Sequence, residues 1–503
     1  METAPDPKAR EDQDIAALAK GGRTNVFGFL LRLAARLPFL FIAGRIYGPE
    51  VLGRFAYAIL VIEFAAQIAT LGLKRGLAGA LAQTKRPENH VVADAMVLTV
   101  LFSLMAAGLL MLFPHAMFPN SGLNGLDHWL PLIILAVAGS DVALAACAWR
   151  YDISATVRAR AIIEPWTISI AAWVLSYYSL RDGLILSYLL SMIAAMLASL
   201  WPMFRHFGLP RGWQPDLMRL WRMTRINMPL AAADAVEWGS RRLDLAILGL
   251  FVSPAVVGIY YVAQQVASLP QKLKTSFEPI LGPVITRNLN ENNYAAIARQ
   301  VSQVGFWIIA AQAGIALALG IPGQAVMGLV GPQFVDGTLA LGFLLLAEVV
   351  AATAVVSESA LVYLARHRNL MISLGMIGLQ AGLSFVLILM VRQAGYSDEV
   401  MAAAPALALA LALAFSSIVK SNLLQYLLKH RIATWRPALL AASSVAVIVG
   451  MVFVSLPRSY EWVELVIGVP VILFVYGIII WRFGFGPDDR ELFTRSRRGN
   501  LTS

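Results

Sequence analysis

The sequence predicts an all-α integral membrane protein. It calls for about 14 transmembrane helices in two six-helix lobes related by a parallel repeat, plus two C-terminal helices, with both termini cytoplasmic. Three observations carry this. Of 503 residues, 58% are hydrophobic and only 14% charged, against roughly 45–50% and about 25% in soluble domains, and the mean hydropathy is +0.69. The apolar residues gather in runs close to the ~20 residues a helix needs to cross hydrocarbon. The basic residues gather on one side of those runs. This composition excludes a soluble enzyme, a disordered chain and a nucleic-acid-binding protein. The net charge of +10 is what cytoplasmic loops rich in Lys and Arg produce.

The runs lie near 25–47, 53–72, 91–113, 129–149, 161–180 and 183–204, then 224–252, 255–277, 300–321, 337–362, 369–391, 401–428, 436–456 and 460–481. Their length marks them as helices, because a transmembrane barrel shows alternating segments of about ten residues instead. Pro38, Pro165, Pro229, Gly239, Pro270, Pro405 and Pro470 interrupt several of them. Helix bundles in membranes tolerate such residues at bends.

With the N-terminus inside, the inner segments hold 30 of the 40 basic residues, and the outer loops hold only Arg45, Arg54, Arg181, Arg392 and Arg458. The division that follows is a tail at 1–23, spans 1–6 at 24–204, a cytoplasmic loop at 205–223, spans 7–12 at 224–430, spans 13–14 at 431–482, and a tail at 483–503. The outer loops are short, the longest being 114–128, so no extracytoplasmic domain is expected. Residues 1–23 lack an apolar stretch and a small-residue cleavage site, which argues against a cleavable signal peptide. The single cysteine, Cys147, rules out an intrachain disulfide.

Two stretches repeat at an offset of 205. Pro49, Val51, Gly53, Phe55 and Ala58 correspond to Pro254, Val256, Gly258, Tyr260 and Ala263. Each stretch links an outgoing span to a returning one, so the halves share one orientation. The same offset, chosen without reference to charge, maps Arg36 onto Arg241 and Arg32 onto Glu237.

Charges inside the spans are the candidate site residues, because a central Arg costs about 2.5–3.5 kcal/mol even on insertion scales. Arg32 and Arg36 share one face of span 1. Span 7 carries Asp234, Glu237, Arg241 and Asp244 within a sector of about 80°, with Arg242 off that sector. Arg32, Arg36, Arg241 and Arg242 are the substrate-binding candidates, suited to an anion in a central cavity. Asp234, Glu237, Asp244, Glu63 and Asp141 are candidates for ion coupling or charge pairing. Glu164, Glu348 and Glu358 are further buried acids that either pair with arginines or bind H⁺ or Na⁺. The six histidines lie at or near loops without metal-ligand spacing, so neither a metal nor a cofactor is expected. No Gly-Lys dipeptide is present, which excludes a Walker A lysine and ATP hydrolysis on this chain.

These features resemble the multidrug/oligosaccharidyl-lipid/polysaccharide exporter superfamily, and within it the Wzx-type polysaccharide transporters. The residues that carry the resemblance are Tyr47-Gly48-Pro49-Glu50-Val51-Leu52-Gly53-Arg54-Phe55, Arg242-Leu243-Asp244-Leu245-Ala246-Ile247-Leu248-Gly249 and Leu329-Val330-Gly331-Pro332-Gln333-Phe334. The resemblance spans about residues 20–480. It implies a flippase of the bacterial inner membrane. Such a protein moves a polyprenyl-diphosphate-linked oligosaccharide by alternating access, coupled to an ion gradient, alongside membrane lipids and polysaccharide assembly proteins. A diphosphate is an anion that clustered guanidinium groups hold well. The alternatives are a lipid II-type flippase or a drug/ion antiporter of the same superfamily; clustered arginines disfavour a cationic cargo. A membrane polysaccharide polymerase or ligase would call for a large outer loop.

The topology is testable by labelling. In a Cys147→Ala background, single cysteines at Gly122 and Gly212 should react with impermeant reagents from opposite sides of the membrane. Labelling from one side would overturn the fourteen-span arrangement.

Overall fold

A computed structural model describes residues 37–457, 460–486 and 489. Among these residues no strand occurs and a helix stands at each predicted run. That is the outcome hydrocarbon imposes, since a backbone satisfied within its own segment needs no water. Ten helical segments among the described residues are long and apolar enough to cross a membrane, the first of them Leu37–Ala82. The helices within 153–176 and 217–290 are not among the ten.

Two compact units are resolved. The first takes in the described residues from Leu37 to Tyr261. It holds α1 (37–47), α2 (Gly48–Ala69), α3 (Leu73–Ala82), α4 (Glu88–Leu112) and α5 (Ile133–Trp149). A continuous helical stretch follows, with α6 (Ile153–Thr156), a π-helical segment at Val157–Ile163 and α7 (Glu164–Ser176). Then come α8 (Gly183–Phe207), α9 (Leu217–Ser240), α10 (Leu243–Leu248) and the first residues of α11 (Pro254–Asn290). Leu73, Leu77 and Leu81 of α3 and Val142, Ala143 and Cys147 of α5 form its buried core. Span 7 therefore clusters with the six spans before it.

Two glycines set the position of α3. Gly72 has φ +69°, a left-handed conformation that glycine adopts without strain. It ends the run of α2 and turns the chain into α3. A Cβ on Gly72 would meet the Ala231 nitrogen at 2.6 Å, and one on Gly76 would collide with the Asn227 side chain. The missing side chains thus let α3 lie directly on α9.

The two copies of the sequence repeat meet each other within this unit. A Cβ on Gly53 would collide with the Pro254 carbonyl, and one on Gly258 with the Pro49 carbonyl. Those pairs exchange under the offset of 205, so the contact is reciprocal. The segment at 113–129 packs beside this crossing. Asn120 Nδ2 donates to the carbonyls of Gly249 and Val252, each at 2.9 Å. Arg54 joins the buried Asp127 at 2.6 Å and lies 4.7 Å from the Phe118 ring centroid.

The second unit holds the remainder of α11 from Val262 onward, with α12 (Tyr294–Gly320), α13 (Gly323–Val330), α14 (Thr338–Leu364), α15 (Arg366–Gln393) and α16 (Asp398–Leu428). It continues through α17 (Pro437–Val454), α18 (Glu461–Val463) and α19 (Val469–Ile479). Phe306, Ile309, Leu361 and Tyr476 belong to its core. Outside the spans, Asp489 accepts hydrogen bonds from Arg436, Gln303 and Trp307 at 2.8, 2.8 and 3.1 Å. Burial alone would raise this carboxyl, but the hydrogen bonds from Arg436, the Gly486 N–H and Gln303 hold it below the usual carboxylate range.

The glycine crossing yields a matched test. Gly258→Ala should cost about 1–3 kcal/mol through overpacking against backbone and lower the melting temperature in detergent. Gly108→Ala, where a Cβ meets only open space, should leave it unchanged or raise it. Equal effects would remove the packing explanation.

Candidate functional site

α3 and α9, held together by the two glycines, bring opposite charges into contact. Arg75 Nε lies 3.1 Å from Asp234 Oδ1, an ion pair without hydrogen-bond alignment, and Arg75 Nη2 donates to Glu237 Oε2 at 2.7 Å. Arg241, one turn beyond, donates to Glu237 Oε1 at 3.1 Å. Two guanidinium groups therefore share one carboxylate. Their side chains are 55% and 57% exposed and that of Glu237 is 48% exposed, whereas Asp234 is buried.

The structure corrects one expectation about span 7. Asp244 does not continue the face of Asp234, Glu237 and Arg241. The helix stops at Ser240, turns through Arg241 and Arg242, and restarts as α10 at Leu243. A Gly-Ser pair, Gly239-Ser240, precedes the break, and such pairs are common at kinks. The turn changes the helical phase, so Asp244 instead accepts a hydrogen bond from Tyr260 of α11 at 2.6 Å inside a buried pocket. Arg242 faces Glu63 of α2 at 3.6 Å and lies 5.4 Å from the Trp238 ring centroid. Glu63 also accepts from Tyr188 at 3.3 Å.

A second cluster lies deeper. Arg160, on the π-helical turn before α7, is bound to Asp141 of α5 and pairs with Glu164 at 2.9 Å. Lys74 lies 3.6 Å from Asp141. The π-turn is the local device here, since π-bulges inside helices mark functional or strained positions. Asp141 and Glu164 thus behave as charge partners in this structure. Arg32 and Arg36 lie outside the described residues. Arg75 was not among the sequence candidates, because Lys74-Arg75 stand in an inner segment by apolar-run counting. The signal that would have found it is Gly72-x-x-x-Gly76, two small residues bracketing a cation on one helix face. Among the described residues no group of His, Cys, Asp and Glu could hold a metal ion.

Residues 42–318, more than half of the chain, match the model of a polysaccharide biosynthesis protein family. The chain belongs to that family. Curated proteins provide no match. Among solved structures, the chain is similar to the lipid II flippase MurJ in an inward closed conformation, with TM-score 0.67, 11% identity, and 91% of this chain and 99% of that one covered. It is also similar to an inward-facing multidrug resistance MATE family transporter of the MOP superfamily, with TM-score 0.57, 13% identity and 80% and 98% covered. A MOP superfamily transporter from Pyrococcus furiosus gives TM-score 0.53 and 14% identity over 83% and 96%. At such identities the likeness establishes the fold. This polysaccharide biosynthesis family member thus carries, among its described residues, ten helices long and apolar enough to cross a membrane.

The two clusters should respond differently to neutralisation. Asp141, with its side chain only 10% exposed, faces both Arg160 and Lys74, and Asp141→Asn should cost about 3 kcal/mol by leaving charge uncompensated. Glu237→Gln, at a half-exposed site, should cost about 1 kcal/mol or less. Thermal melting in detergent checks the order, and an inverted order would overturn the assignment of Asp141 as structural.

Proposed function

We propose that this protein is a flippase for a polyprenyl-diphosphate-linked oligosaccharide, a polysaccharide or lipopolysaccharide repeat unit, in the bacterial inner membrane. Alternating access carries it across, coupled to an H⁺ or Na⁺ gradient. One observation carries the reading. Arg75 and Arg241 hold their charged ends half-exposed on a single shared carboxylate, Glu237. A carboxylate held by two arginines occupies the kind of place a phosphate takes, and the planar fork of guanidinium fits phosphate oxygens in pairs. When a diphosphate arrives, both arginines can exchange Glu237 for phosphate oxygens, and the half-exposed Glu237 carboxylate is released to water. Arg242, on Glu63, is one residue further along. Arg32 and Arg36 are proposed to contribute from span 1 on the strength of the repeat. The polysaccharide biosynthesis family supports a saccharide-linked cargo, and the exposed guanidinium groups oppose a cationic drug. The membrane lipids and the polysaccharide assembly proteins of the same pathway are the proposed partners, and no catalytic step is assigned.

Complementation of polysaccharide export in cells lacking the flippase tests this at matched membrane levels. Loss of one charge-assisted contact costs about 1.5–3 kcal/mol, or roughly 10- to 150-fold in affinity. Arg75→Ala, Arg241→Ala and Arg36→Ala should each depress export, and lysine at these positions should restore it poorly. Wild-type export from all three alanine variants would overturn the anion site.

A further inference from the structure

The second unit contains a helix turned inside out. Of the 28 residues of α15, the fully buried ones are Asn369, Gln380, Ser384 and Ile388. Three of four are polar, while Leu370, Met371, Leu374, Phe385, Val386 and Met390 are exposed. In a membrane this places the apolar face on lipid and the polar face on α16, the helix against which α15 packs most extensively. Both amide atoms of Gln380, the Ser384 hydroxyl and Asn369 Oδ1 are buried without a protein hydrogen-bond partner. Each such group costs about 1–3 kcal/mol unless water satisfies it.

At the inner end of this face stands an ion pair. Lys420 of α16, its side chain 3% exposed, donates to Glu358 Oε2 of α14 at 2.9 Å and to Ser373 Oγ of α15 at 3.0 Å. Asn369 Nδ2 lies 3.3 Å from Glu358 Oε1. The Glu358 side chain is 41% exposed. The Ser373–Lys420 contact also sets the antiparallel register of α15 and α16. It brings Ser416 of α16, buried in the structure, between the levels of Ser373 and Gln380, and brings Gln380 and Ser384 level with the buried Ala412, Ala410 and Ala408. Successive polar levels, Ser384, Gln380, Ser416 and the Lys420–Glu358 pair, are then about 4–6 Å apart at 1.5 Å rise per residue. One water bridges a step of that size.

We propose that this face is a water-linked proton path and that Glu358 is its proton-binding group, with Lys420 as the fixed counter-charge. A proton from hydronium at the mouth of the path is relayed by waters hydrogen-bonded to Ser384, Gln380 and Ser416, one O–H bond breaking as the next forms, and the last O–H bond forms on a carboxylate oxygen of Glu358. The pair then changes from neutral to a single positive charge on Lys420, which retains Ser373 as acceptor. An uncompensated buried ammonium is costly, so the protonated state favours any arrangement that gives Lys420 a new anion or water. The charged and titratable groups on the elements packed against Glu358 are few. α16 brings Lys420, with Tyr426 further inward and Asp398 and Glu399 at the opposite end. α15 brings Arg366, His367 and Arg368 at its inner start and Arg392 at its outer end. α12 brings Tyr294 and Arg299 within its first six residues, and α14 itself carries Glu348 and Tyr363. The coupling role of the site rests on the transporter reading; proton binding does not.

Infrared pH-difference spectra of the purified full chain in lipid nanodiscs test it. Lowering the pH should raise a protonated-carboxyl stretch that Glu358→Gln loses. Glu358→Asp should keep it at a displaced frequency, which guards against misfolding of the glutamine variant. Lys420→Met, which removes the neighbouring cation, should move its midpoint upward, and Gln380→Leu should slow its shift on transfer to D₂O. Spectra of Glu358→Gln that superimpose on wild type, or a midpoint unmoved by Lys420→Met, would overturn the proposal. Loss of the transport reading would show separately, as unchanged export from the Arg75 and Arg241 variants with the carboxyl band intact.

Discussion

Charge in a low-dielectric layer must be cancelled at close range, and the first unit is organised around that requirement. Four arginines described there have an acidic partner on another element or one turn away: Arg75 with Asp234 and Glu237, Arg241 with Glu237, Arg242 with Glu63, Arg160 with Asp141 and Glu164. Removing either member of a buried pair costs more than the pair contributes, because the survivor remains desolvated. The pairs therefore constrain which helices lie side by side more than they add stability. They link α2, α3, α5, the π-helical turn, α7, α9 and the turn before α10 into one unit.

The depth of each pair separates its roles. Asp141 and Arg160 are largely enclosed, and their partners saturate them; such a cluster holds helices in register. Glu237, Arg75 and Arg241 face a more open environment, where an ion pair contributes little on its own. Weak pairing at such a place is suited to exchange, since a polyanion with two phosphates can replace one carboxylate at small net cost. In the proposed exchange, selectivity would come from the guanidinium fork and from repulsion by Asp234 and Glu237 when only a weak anion is present.

Close approach of backbones is the second organising element, and small residues carry it. Gly72 and Gly76 admit α9 against α3, so that Arg75 reaches acids two turns along α9. Gly53 and Gly258 do the same for α2 and α11, with each glycine meeting the proline carbonyl that leads the other copy of the repeat. In the absence of a hydrophobic drive between helices in lipid, such contacts supply the packing. The second unit uses a different device. The polar face of α15 is turned onto the small, alanine-rich face of α16, where lipid would have left it unsatisfied.

The sequence by itself determined the class of the molecule and the places of its helices, because length and hydropathy are set by the thickness of hydrocarbon and need no partner to read. It also determined the repeat, since Pro49–Ala58 and Pro254–Ala263 are visible as residues, and it marked Arg241, Glu237 and Asp234 as charges needing a reason. It did not show who meets whom. The sharing of Glu237 by Arg75 and Arg241 depends on the αL turn at Gly72 and on how closely α3 settles on α9. The removal of Asp244 from the polar face depends on a turn at 241–242 that periodicity over 224–252 runs straight through. The inverted face of α15 was equally out of reach, because a hydropathy average over its residues is satisfied by apolar side chains whichever way they point. Pairing between distant segments is decided by backbone approach and helix phase, and both are properties of the packed chain.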